Sequence, residues 1–163
     1  MAHETKFEKD PNKWQLNITR EFSAPVEKVW KAWTEAELLD KWWAPKPWKT
    51  VTKSMDFTVG GTWLYSMVGP NGEEHWSRVD FTAITPGHSF NADNCFCDKD
   101  GNIDPNFASW SHWANVFMPT ATGSKVEIAL SFDTEAAMDK LVAMGFKGGF
   151  TMALGNLDEL LES

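Results

Sequence analysis

Cysteine, tyrosine and basic side chains are scarce in this chain of 163 residues: two Cys, one Tyr, and 15 Lys and Arg against 23 Asp and Glu. Each scarcity excludes something. Cys95 and Cys97 stand two apart, so in an extended segment they leave the same side of the chain, too close together for a structural staple. They are read as reduced thiols, and with no second Cys or His pair at zinc spacing no metal is expected. A formal net charge of -8 offers no basic surface for phosphate backbones or anionic lipid, so no nucleic-acid partner is expected. No segment approaches the roughly 18 consecutive apolar residues of a membrane span. The polar stretch Met1–Lys13 also lacks the apolar core of a secretory signal, so membrane insertion is not expected and the chain is read as cytoplasmic.

Large aromatic side chains are what the chain has in quantity, ten Trp and eleven Phe. An excess of that size points to something large and apolar that is lined or filled. The length suits one domain over residues 1–163, with 1–13 expected to be flexible or loosely packed.

From Trp14 onward, Leu16, Ile18 and Phe22 alternate with Gln15, Asn17, Thr19 and Glu21, the period of a strand with one buried face. Pro25 presets a first helical turn, and Val26, Val29, Trp30 and Trp33 follow at helical spacing. Thr34 with Glu37 has the form of a capping box, which predicts a second short helix through Leu38, Leu39 and Trp42, ended by Pro45 and Pro47. Turn residues at Gly60–Gly61, Gly69–Gly72, Thr85–Gly87, Asp98–Asn102 and Thr120–Ser124 then divide about six strands, and the short separations predict antiparallel hairpins. Val126, Ile128, Leu130 and Phe132 mark the clearest strand. Asp133 and Thr134 can cap a short helix carrying Met138, Leu141 and Val142, which Gly145 breaks. The final helix carries an apolar stripe of Phe146, Phe150, Ala153, Leu154, Leu157, Leu160 and Leu161, with Lys147, Asp158, Glu159 and Glu162 expected toward water. Only that stripe is long enough to cover the inner face of so long a sheet. The expected class is α+β, a helix-grip: a curved antiparallel sheet around a long C-terminal helix, with two short helices after the first strand.

Several segments, in order, resemble the bacterial family of activator-of-heat-shock-protein-ATPase homologues within the START-like (SRPBCC) superfamily. They are Arg20–Pro25 continuing through Val29–Thr34, the pair Trp42 and Trp43, Asp56 with Gly60 and Gly61, and Met144 through Leu161. The resemblance implies a deep cavity between sheet and long helix, and no single chemistry shared by all members. Thr58 stands where Arg is common in the family and Ala83 where Glu is common, which implies a less polar cavity. Activators of the chaperone ATPase carry an added N-terminal domain for which Met1–Lys13 is too short, so stimulation of that ATPase by this chain alone is not expected.

Trp63, Tyr65 and Met67 alternate with Thr62, Leu64 and Ser66, so the three large side chains share a face. They fill a core or line a pocket, and pockets of this kind are mostly apolar and aromatic. Phe81, Trp110, His112, Phe146 and Phe150 are further candidate lining residues. Asp98–Asn102 copies the opening of a calcium loop, but Ile103 and Ser109 stand where Gly and a bidentate Glu are needed, so a solvated hairpin tip is expected. No nucleophile elbow, zinc-protease pair or phosphate cradle occurs. His75, His88 and His112 could each act as acid or base, but a base needs a partner that sequence does not reveal. Gly148, Gly149 and Gly155 weaken the last helix and ask for a reason, either close packing or a pliable first turn. The leading expectation is a module that binds a small, largely apolar or amphipathic molecule without a cofactor. A co-chaperone-like protein-interaction module and a cavity enzyme of cyclase or hydrolase type are the alternatives, and the oligomeric state is left open.

Overall fold

The computed structural model describes residues 3–103, 105 and 110–162. Its elements run β1 (Lys6–Lys9), β2 (Gln15–Phe22), α1 (Val26–Thr34), α2 (Ala36–Trp42), β3 (Lys49–Met55), β4 (Thr62–Val68), β5 (Glu74–Thr85), β6 (Ser89–Cys97), β7 (Ser111–Pro119), β8 (Ser124–Phe132), α3 (Glu135–Ala143) and α4 (Phe146–Glu162). The eight strands form one curved antiparallel sheet in the order β1-β2-β8-β7-β6-β5-β4-β3. Among the described residues no helix is long and apolar enough to cross a membrane.

Register follows from the apolar alternation. Leu16, Ile18 and Phe22 of β2 stand opposite Leu130, Ile128 and Ser124 of β8, which puts one buried row on the inner face. The same parity carries through Trp113 and Asn115 of β7, Ala92 and Asn94 of β6, Val79 of β5 and Trp63 of β4. The buried stripe of α4, including Phe150, Leu154 and Leu157, completes a core that the inner face shares with α1 and α2.

Three local expectations are corrected. The segment before Trp14 contains a strand, β1, which pairs with β2 and sets Phe7 against Phe146. Thr34 does not cap α2: its hydroxyl donates back to Trp30 O within α1, and Glu35 occupies the N-cap position. Asp158 does not simply face water but pairs with the buried Arg20 on the inner face. The start of α3 is as expected, with Thr134 Oγ1 accepting from Ala137 N. Gly145 then follows α3 at φ +89, where a side chain would be strained.

The outer face of β3–β5 is covered by the Asp98–Asn102 turn. Asp98 Oδ1 accepts from the backbone N–H groups of Asp100 and Asn102, Lys53 Nζ donates to Lys99 O, and Arg78 Nη1 donates to Gly101 O. Those backbone donors, Asn102 foremost, hold the Asp98 carboxyl below the usual carboxylate range. The turn is satisfied largely by its own backbone, but it packs on the sheet with Gly101 buried and does not stand free as a solvated tip. Ser109 lies outside the described residues.

Candidate functional site

The inner face does not close completely against the helices. Between β4–β7 on one side and α3, α4 and the segment after α2 on the other lies a cavity of about 190 Å³. Its wall is largely aromatic. Phe146 and Phe150 stack with centroids 5.3 Å apart, and Trp113 meets each edge-on at 6.0 and 5.7 Å. Trp43 closes the far side against Phe150 and Trp113.

Polar groups in this cavity are few: hydroxyls, amides and indole N–H groups, with the His75 ring at the rim. Trp43 Nε1 donates to the Tyr65 hydroxyl at 3.0 Å, and Trp113 Nε1 donates to Ser111 Oγ at 3.2 Å. Ser77 and Asn94 add further hydroxyl and amide groups, and among the described residues no Asp, Glu, Lys or Arg lines the cavity. Burial, the largest influence, pushes the Tyr65 hydroxyl above its ordinary value, so it is a neutral donor at any physiological pH.

Two neighbouring spaces adjoin the cavity. Toward α3 it continues into a groove of about 360 Å³ that shares His75, Asn94, Phe96, Ser111 and Leu141 with it. Phe96 and Met144 stand 44% and 60% exposed at this mouth, beside the exposed Glu74 and Lys140, so the way in is amphipathic. In the opposite direction a hollow of about 30 Å³ shares Trp43, Asn94 and Trp113 with the cavity. Asn94 borders all three spaces.

Of the eight lining candidates, Tyr65, Met67, Phe146 and Phe150 line the main cavity together. Trp63 and Phe81 line only the innermost hollow. Trp63 stacks on Tyr65 at 4.1 Å and donates to Thr52 Oγ1, while Phe81 packs against Phe57 at 4.8 Å. Trp110, half-buried ahead of β7, lines none of the three spaces. His112 is on the opposite face of the sheet, between Asp93 (2.7 Å from Nδ1) and Asp133 (2.8 Å from Nε2). Strand parity explains the correction: Ser111 and Trp113 point inward, so the residue between them points out.

Trp43, Trp113 and Asn94 are cavity residues that the candidate set lacks. Adjacent helical residues diverge by about 100°, so the Trp42–Trp43 pair at the end of α2 could have signalled one Trp for the core and one for another surface. Trp42 is the core member, donating to Ala32 O. Thr58 and Ala83, the departures from the family pattern, are both exposed and line none of the three spaces.

Reactive groups are poorly placed for acid–base work here. The Cys97 thiol, at the groove, is pushed up to about 11, chiefly by burial, so it is not a ready thiolate. His75 is exposed at the rim, with its ring 5.4 Å from that of Trp48. Among the described residues no cluster of three or more His, Cys, Asp or Glu could hold a metal ion.

Comparison with known proteins agrees with this fold. Among curated proteins none matches the chain significantly. The crystal structure of protein Ms6760 from Mycobacterium smegmatis is similar at 27% identity and TM-score 0.88, over 97% of each chain. The solution structure of a protein from Arthrobacter aurescens is similar at 29% identity and TM-score 0.88, over 96% of this chain and 91% of that one. The fold is also that of the AHSA1 protein from Silicibacter pomeroyi, at 20% identity and TM-score 0.72, over 91% of this chain and 97% of that one. The family described as Activator of Hsp90 ATPase homolog 1-like protein matches residues 23–162. With its START-like, helix-grip sheet, the chain belongs to that family.

Proposed function

We propose that this protein binds a small, largely apolar or amphipathic molecule between its sheet and α4. The observation that carries this reading is the aromatic cavity of about 190 Å³, opening to solvent through a groove of about 360 Å³. Small-molecule sites usually span about 300 to 1,000 Å³, with apolar walls and a few placed polar groups. The exposed apolar side chains at the mouth, Phe96 and Met144, support an apolar ligand's entry. Gly148 and Gly149 in the first turn of α4, which borders the cavity, favour a turn that yields as a ligand passes. The free cysteines Cys95 and Cys97 support a reducing, cytoplasmic setting.

Binding is favoured over catalysis because the cavity wall offers mainly hydroxyl, amide and indole groups, and among the described residues its histidine, His75, has no hydrogen-bonded carboxylate. Among the described residues such a pairing stands at His112, on the other face. Native mass spectrometry of protein purified from its own host tests the reading. A retained small molecule, lost on denaturation and reduced by Met67→Trp, is the expected result. An unliganded protein that also takes up no compound from an apolar panel would overturn it.

A further inference from the structure

Trp33 of α1 and Asn115 of β7 are 3% and 2% exposed, and both line the innermost hollow of about 30 Å³. Trp33 Nε1 and Asn115 Oδ1 have no hydrogen-bond partner among the described residues. The contrast with the other cavity tryptophans is sharp: Trp43, Trp63 and Trp113 each donate their indole N–H to a hydroxyl oxygen. The residue that carries the unused donor and the residue that carries the unused acceptor therefore both line the same small space.

Buried polar groups are costly to leave unmade, and the pairing here specifies what would satisfy them. A hydroxyl accepts from an indole N–H and donates to an amide oxygen. A carboxylate can only accept, an ammonium can only donate, and a methyl group does neither. The hollow also has room for about one oxygen atom, since a water-sized group needs on the order of 10–15 Å³ of such volume. Among the described residues no charged side chain or histidine lines it, so an ion would find no counter-charge. Because the hollow shares Trp43, Asn94 and Trp113 with the main cavity, a ring held there can direct a substituent inward.

Resting on the binding reading above, we infer that the ligand is a neutral hydroxyl compound, an alcohol or a phenol. Its apolar body occupies the main cavity and its hydroxyl sits between Trp33 Nε1 and Asn115 Oδ1. The site thus selects for a hydroxyl against a methyl group of nearly the same size, and against a carboxylate. Such selection follows because a ligand lacking the hydroxyl leaves both protein groups unpaired.

The test is calorimetric titration of the intact chain with naphthol, methylnaphthalene and naphthoate, all substituted at the same ring position. Naphthol should bind about tenfold more tightly than methylnaphthalene, and naphthoate should bind most weakly. Asn115→Leu, which removes the acceptor at similar volume, should weaken naphthol about tenfold and bring methylnaphthalene level with it or ahead. Trp33→Phe removes the donor instead and should lower the naphthol preference in the same direction, which keeps the test decisive if one variant fails to fold. Equal binding of naphthol and methylnaphthalene to the unaltered protein would overturn the hydroxyl site and leave an ordered water only at the pair, with the binding reading intact. Tightest binding of naphthoate would also overturn it. Failure of all three probes to bind would overturn the binding reading itself.

Discussion

Arg20 of β2 and Asp158 of α4, 138 positions apart, join sheet to helix on the inner face: Arg20 Nη1 donates to Asp158 Oδ1 at 3.2 Å, and Nη2 pairs with Oδ2. Arg20 is 4% exposed and Asp158 21%, so the guanidinium has little water to fall back on. It also donates to Glu21 O and lies 4.9 Å from the centre of the Phe22 ring. A charge buried this way stays tolerable only while its partner is present.

Asp158→Asn should therefore destabilise the fold by about 3 kcal/mol, because the cost is that of leaving Arg20 unpaired rather than the modest worth of the pair. The double variant Arg20→Met, Asp158→Leu should recover most of that loss. Urea unfolding of the three proteins is the check. A single variant within 0.5 kcal/mol of the unaltered protein, on the order of an ordinary surface change, would contradict the burial argument.

At His112 both ring nitrogens face carboxylate oxygens, which can only accept, so only the imidazolium satisfies Asp93 and Asp133 together. The hydrogen bond with Asp93 is the largest influence and, with Asp133 and their charges, lifts the ring above 6.5 despite some desolvation. A raised folded pKa means the stabilisation is complete below the unfolded value and is lost as pH rises through the folded one. His112→Gln should therefore cost more stability near pH 6 than near pH 9, by less than about 1 kcal/mol, since the pair is partly exposed. Imidazole proton shifts followed by NMR should give a midpoint above 6.5; a midpoint at or below it would contradict the clamp.

A Cβ built at Gly148 or Gly155 would meet nothing within 4 Å, so close packing is not the reason for either glycine. At Gly149 the nearest atom would be Pro45 Cγ at 3.7 Å, an ordinary contact. Gly148→Ala and Gly155→Ala should each stabilise the helix by up to about 1 kcal/mol. That corresponds to a rise in melting temperature of roughly 2 to 4 °C in a chain of this size. A fall in melting temperature for either variant would show packing that the backbone geometry does not.

What could be read from the chain was whatever had strong periodicity. β8 alternates cleanly from Val126 to Phe132, and α4 repeats its apolar stripe over several turns; both lie within one residue or two of where the pattern sets them. β1 was not legible because Lys6, Glu8 and Lys9 surround a single apolar residue, Phe7, and an edge strand is held mainly by backbone pairing. The parity of β7 was ambiguous because both of its faces mix polar and apolar residues, so His112 could be assigned to the cavity in place of Trp113. Arg20 and Asp158 each look like surface residues locally, and their meeting is a property of the closed fold.

The central claim, a ligand held between sheet and α4, is tested most directly by mapping amide shifts in a ¹⁵N-labelled protein as N-phenyl-naphthylamine, an uncharged apolar probe, is added. The expected result is saturable change concentrated at Tyr65, Met67, Asn94, Trp113, Phe146 and Phe150, with the outer face around His112 unaffected. No saturable change, or change confined to exposed apolar residues such as Val51 and Val116, would contradict it.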